Sequence, residues 1–166
     1  MARKKADFLP PPQDLQRRAV NFTKGYRLKL EPAELRRLEE VVEKATDAFT
    51  AEVAERLRQL RQTIADVAGG NDEPQAMRII RALSLDIKGM GGTFRYPLLS
   101  AYAKSLNDFA VQVDRPSAVQ TDILAAHIDA MYVVMAERIT GVGGRRERDL
   151  LEALQTAVEK HMPRHG

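Results

Sequence analysis

Arg78, Arg81 and Lys88 recur at helical spacing together with Gly89 and Gly92, and Leu85 stands among them. At about 100° per residue these six share one face of a helix, while Ile80, Leu83 and Ile87 share another. Leu85 falls roughly 140° from Ile80 on that wheel, away from the expected core. The chemistry this pattern offers is recognition. An apolar side chain in the middle of a basic, glycine-lined, outward face is the layout of a docking surface. Leucine has no lone pair, so it can act neither as nucleophile nor as base. Arg78, Arg81, Leu85, Lys88, Gly89 and Gly92 are therefore the predicted partner-binding residues, and no catalytic residue is predicted.

The remaining candidates offer less. His127 lies within about 60° of the apolar stripe of its segment, which predicts a partly buried, hydrogen-bonded imidazole rather than one facing solvent. His161 and His165 are four apart, a metal-ligand spacing on a helix, but Pro163 lies between them. The better reading is a frayed basic tail. Gly89-Met-Gly-Gly92 lacks the lysine spacing and the preceding strand of a nucleotide-binding loop. Acid pairs such as Glu39-Glu40 sit on outer faces. Met90, Met131 and Met135 read as core filler. The chain has no cysteine, which excludes disulfides and thiolate metal sites. Neither a metal nor a cofactor is expected.

The elements that must position this face are all helical. Residues 1–13 read as a basic, proline-rich arm, with Arg3, Lys4 and Lys5 ahead of Pro10-Pro11-Pro12. Residues 14–166 read as one helical domain. A short helix is predicted from Asp14 to Lys24. The longest helix starts at Pro32, carries Leu35, Leu38, Val42, Ala45, Phe49, Val53, Leu57, Leu60, Ile64 and Val67, and stops at Gly69-Gly70. The next runs from about Pro74 to Thr93, with Asn71 or Asp72 as its cap. A turn at Arg95-Tyr96 leads to a helix from Pro97 with Leu99, Tyr102, Ala103, Leu106 and Phe109 on its apolar face. Pro116 opens another, with Leu124, Ile128, Met131 and Met135 on one side, reaching about Thr140. Gly141-Val-Gly-Gly144 breaks it, and Arg145 to His161 forms the last, using Leu150, Leu154 and Val158. Strand patterns are absent. Short connections favour antiparallel neighbours, so the expected fold is an all-α, up-and-down four-helix bundle with an N-terminal arm and an extra C-terminal helix.

Composition narrows the classes. At 166 residues the chain suits one domain with a real core. No apolar run approaches the ~20 residues of a membrane span, and the start lacks the apolar stretch of a secretory signal. A cytoplasmic location is the expectation. The net charge of +3 is mild and its cations are interleaved with acids, unlike the dense basic stripe of a nucleic-acid binder.

The stretch from Leu85 to Leu106 resembles the histidine-phosphotransfer (HPt) domain of two-component phosphorelays. Lys88 and Gly89 match that family's Lys-Gly pair, Gly92 its next small position, and Phe94 the apolar residue before its turn. Leu99, Ala103 and Leu106 match the helix that follows. The resemblance covers about 25 residues without a gap. It departs at two positions: Leu85 stands where the family has its phospho-accepting histidine, and Arg95 where it usually has glycine. What the resemblance implies is a pseudo-phosphotransfer protein, not an enzyme. It would bind a receiver domain or a histidine kinase, probing the acidic receiver pocket with Lys88 and admitting its backbone over Gly89 and Gly92. Phosphate could not be carried at the usual position, since leucine forms no phosphoramidate. A monomer is expected.

Other readings stay open at this point. Gly91-Gly92 could simply end a helix, and Leu85 could pack on a neighbouring helix. The chain could be a helical scaffold or dimerisation protein with unrelated partners. Weak nucleic-acid binding through Arg3, Lys4, Lys5 and Arg145, Arg146, Arg148 ranks third, and an independent enzyme comes last for lack of any acid, base or nucleophile cluster.

Overall fold

A computed structural model describes residues 32–162, the side chains at 34, 35, 38 and 42 excepted. The arm expected over 1–13, the short helix expected over 14–24 and His165 lie outside the described residues. Five α-helices follow one another: α1 Pro32–Ala68, α2 Glu73–Thr93, α3 Pro97–Gln112, α4 Ala118–Ala136 and α5 Arg145–His161. No strand occurs among the described residues. Pro32–Glu40, the described part of a first unit, is helical, with Arg36, Arg37, Glu39 and Glu40 exposed. The second unit runs from Val41 onward and contains the candidate face.

Prolines open three of the helices where a missing N–H costs nothing: Pro32 and Pro97 begin α1 and α3, and Pro74 lies in the first turn of α2. Asp72 caps α2 by accepting from the Gln75 N–H. Ser117 and Gln120 form a reciprocal capping box at the start of α4. At the start of α5 the Glu147 carboxylate accepts from the Gly144 N–H.

Three helices end in the same way. At α1 the N–H of Asn71 reaches the carbonyl of Asp66, at α2 that of Tyr96 reaches Gly91, and at α4 that of Ile139 reaches Val134. Each is the six-to-one bond of a Schellman motif, which needs a left-handed residue just past the helix. Gly70 supplies it at φ 76°, Arg95 at φ 62° and Arg138 at φ 51°. This motif ends α4 at Ala136, four residues short of the expected Thr140, because the left-handed turn at Arg138 is set by hydrogen bonding that the apolar spacing does not encode.

The buried stripe of α1 in the second unit is Phe49, Val53, Leu57, Leu60, Ile64 and Val67; Ala45, expected to belong to it, is exposed. Phe49, Val53, Leu57, Leu60 and Ile64 share one core with Ile80 and Ile87 from α2, Leu99, Tyr102, Leu106 and Phe109 from α3, and Leu124, Ile128 and Met131 from α4. Each such aliphatic side chain contributes about 1.5–3 kcal/mol by leaving water. Phe49 stacks on Phe94, ring centroids 4.4 Å apart, and Arg56 faces Asp86, so α1 and α2 run antiparallel. Arg61 pairs with Asp129 and lies over the Tyr132 ring, joining α1 to α4. The Tyr102 hydroxyl donates to the carbonyl of Glu147 at 2.7 Å, tying α3 to the start of α5. On α5, Leu154 and Val158 are buried as expected, but Leu150 is 44% exposed.

Candidate partner-binding face

Helix α2 passes unbroken through Gly91-Gly92 to Thr93, so those glycines do not end it. Its inner face buries Met77, Ile80, Ser84, Ile87 and Gly91. Its outer face presents Arg78, Ala82, Leu85, Lys88, Gly89 and Gly92, all exposed. Leu85 is 56% exposed. The leucine therefore lies on the surface of the folded second unit and does not pack on a neighbouring helix.

The glycines around it do different work. A Cβ at Gly89 would meet nothing within 4 Å, and one at Gly92 would meet only Ser100 Oγ at 3.8 Å. Both leave bare backbone open to a partner. Gly91, turned inward, lies against the first turn of α3: a Cβ there would sit 2.8 Å from Ser100 Oγ and 3.0 Å from both the Ser100 nitrogen and the Tyr96 oxygen. Ser100 in turn donates to the carbonyl of Lys88. Gly91, which by its spacing reads only as a possible helix end, lets α2 lie against the first turn of α3.

The three cations of the face are not equivalent. Lys88 is exposed. Arg78 is exposed but folded back on its own helix, its Nε donating to Gln75 Oε1 at 2.9 Å. Arg81 is turned toward α3. Its Nε donates to the carbonyl of Ala110 at 2.8 Å, and its Nη2 to the carbonyl of Val113 at 3.0 Å and to Asp114 Oδ1 at 2.6 Å. The last carbonyls of a helix lack intrahelical donors and carry partial negative charge, so a guanidinium is a fitting cap. Arg81 is thus engaged at the end of α3, and only 27% of its side chain meets solvent. The acidic residue nearest in sequence, Asp86, faces Arg56 on α1 at 3.5 Å. The outer face consequently shows an exposed lysine, and an exposed arginine held to Gln75, beside an exposed leucine and two open glycines.

His127 is fully buried on α4. Its Nδ1 lies 2.7 Å from the Ile123 carbonyl and its Nε2 2.9 Å from Ser105 Oγ on α3. A carbonyl only accepts, so Nδ1 carries the proton and Nε2 accepts from the serine hydroxyl. Burial pushes the imidazole below its usual range, against the smaller opposing effect of the Ile123 carbonyl. Ser105 was not singled out by sequence reasoning, since serine on a helix carries no signal of a partner 22 positions away. It lines an open groove of about 430 Å³ with Lys104, Asp108, Gln155 and Glu159. A hydroxyl against a neutral imidazole is also the start of a nucleophilic site. Both residues sit in helix interiors, where the backbone N–H groups are already used and supply no oxyanion hole. The pair is a hydrogen bond between α3 and α4.

His161 ends α5, where its carbonyl accepts from Gln120 Nε2 at 2.8 Å. No group of three metal-ligating side chains occurs among the described residues, and no helix there is long and apolar enough to cross a membrane. No protein-family model, curated protein or solved structure matches the chain.

Proposed function

We propose that this chain is a non-enzymatic signalling adaptor that docks acidic receiver domains, or the histidine kinases that carry them, through the outer face of α2. The observation carrying this reading is the placement of Leu85: exposed, at mid-helix, beside Lys88 and Arg78 and flanked by the open backbone of Gly89 and Gly92. An apolar centre with a cationic rim is complementary to a pocket of carboxylates set in an apolar frame. The order of residues from Leu85 to Leu106 supports an HPt-like arrangement, with α1 to α4 as an up-and-down four-helix bundle and α5 as its attachment. The antiparallel pairing of α1 with α2 agrees with it.

At the position of the family's phospho-acceptor this chain has no nucleophile. A receiver held there keeps its phosphate, so the chain acts by competition: it occupies receivers that would otherwise meet an active transfer partner. Arg81 contributes to the fold rather than to attraction, leaving Lys88 and Arg78 as the attracting cations.

The test is binding of purified receiver domains from the same cell to the full chain and to Leu85→Asp and Lys88→Glu. Both substitutions lie on an exposed face, so folding is retained. Loss of binding in both supports the reading; unchanged binding of every receiver that the parent chain holds sinks it. Leu85→His adds a second arm. Acid-labile phosphate acquired at position 85 from a phosphorylated receiver establishes that this is the surface a phospho-aspartate approaches.

A further inference from the structure

The backbone carbonyl of Arg81 is the acceptor that the helix ladder assigns to the N–H of Leu85. It carries two further donors, Ser84 Oγ at 3.0 Å and Asn107 Nδ2 at 2.9 Å from α3. Asn107 Nδ2 also reaches Ser84 Oγ at 3.0 Å. The Arg81 side chain crosses the same interface in the opposite sense, to the carbonyls of Ala110 and Val113 and to Asp114. One turn of α2 is thereby gripped from both directions at its main chain and its side chain. At the other end of the contact, Gly91 lies on Ser100 and Tyr96, and Ser100 bonds the Lys88 carbonyl. Leu85 stands between these two attachments.

We infer that Arg81, Ser84 and Asn107 form a polar clasp that sets the rotation of α2 about its axis, and so act as positioning residues for the Leu85 face. The physical reason lies in the non-directional character of apolar packing. Ile80, Leu83 and Ile87 would remain in contact with the core through a modest rotation of the helix, because hydrophobic contacts tolerate sliding. Hydrogen bonds fail within a few tenths of an ångström and a few tens of degrees. A guanidinium forked over two carbonyls and a carboxylate, with an amide returning to the carbonyl one turn before Leu85, permits one rotational setting. That setting turns Leu85, Lys88, Gly89 and Gly92 outward together. The inference rests on the docking function proposed above for its consequence, but the clasp itself is testable without a partner.

The variants are Arg81→Lys, Ser84→Ala and Asn107→Leu in the full chain, with Leu154→Ala on α5 as a control that loses stability elsewhere. Arg81→Lys keeps the positive charge but loses the fork. Ser84 is fully buried and cannot touch a partner. Two quantities are read well below each variant's melting temperature. The first is amide exchange by segment: residues 82–89 should exchange about tenfold faster in the clasp variants while α4 and α5 keep their protection. The second is affinity for the receiver domain that binds the parent chain most tightly, which should fall about tenfold in Arg81→Lys and in the same direction in Ser84→Ala. The Leu154→Ala control should leave both at the parent value. A clasp that is merely structural would lower the melting temperature and spare binding, and that outcome overturns the inference, as does Arg81→Lys binding like the parent. If no receiver binds even the parent chain, the docking function fails, and the exchange data alone decide the clasp: local loosening of 82–89 upholds it, uniform protection removes it.

Discussion

Gly91 and Ser100 approach so closely that a Cβ on the glycine would fall 2.8 Å from the serine Oγ, which is itself held by the Lys88 carbonyl. Two turns of different helices meet there, backbone against backbone. Gly89, two positions earlier on the same helix, faces open solvent. The two glycines should therefore respond oppositely to alanine. Gly89→Ala should stabilise the protein by about 0.5–1 kcal/mol, the usual gain when glycine leaves a helix interior. Gly91→Ala gains the same propensity but must separate α2 from α3, for a net loss of about 1–2 kcal/mol. Urea unfolding followed by circular dichroism measures both. If the docking function holds, Gly89→Ala also weakens receiver binding while raising stability, a split that no folding defect produces.

Arg95 pays a conformational cost that glycine would avoid. It occupies the left-handed position of the α2 Schellman motif at φ 62° and is exposed. A left-handed non-glycine residue costs about 1–2 kcal/mol, against which glycine's extra unfolded-state freedom is a partial offset. Arg95→Gly should raise the melting temperature by about 2–4 °C, and a thermal melt at fixed salt tests it.

The buried imidazole of His127 makes stability depend on pH in a definite direction. Its folded-state pKa lies below its ordinary value because burial disfavours the charged ring. Below the unfolded value of about 6.5 the unfolded chain binds a proton that the folded chain refuses, so stability is fully present above that pH and falls as the pH drops toward the folded value. The slope approaches about 1.4 kcal/mol per pH unit for one proton. His127→Gln, compared with the parent chain between pH 7 and 5, should remove this component of the slope. Parallel curves for the two proteins would contradict the neutral, doubly bonded imidazole.

Ser117 closes the capping box of α4 through Gln120. Ser117→Ala leaves an N–H in the first turn without its acceptor and should cost about 1 kcal/mol. Ser117→Asp should restore it, since aspartate caps equally well and its charge suits a helix N-terminus. Chemical denaturation of the three proteins decides this.

The residues differ in how much they reveal on their own. Helix boundaries at Pro32, Gly69-Gly70, Pro97 and His161 were legible because proline, glycine and the apolar period act locally: they constrain dihedrals and faces within a few residues. The exposure of Leu85 was legible for the same reason, since one wheel suffices to place it opposite Ile80. The division of labour among the cations was not legible. Arg78, Arg81 and Lys88 fall within about 80° of one another on the wheel, yet Arg81 is drawn off the face by the carbonyls of Ala110 and Val113, some thirty positions along the chain. The pairing of His127 with Ser105 and the burial of Gly91 against Ser100 share that character. Each is decided by which helices lie side by side. Over the described residues, sequence alone determined an all-α fold with an apolar leucine facing outward on its second helix, because dihedral preference and hydrophobic period are properties of a segment. Only the tertiary structure decided which polar groups are occupied, because a hydrogen bond is made by whatever partner the packing of distant segments brings within three ångströms.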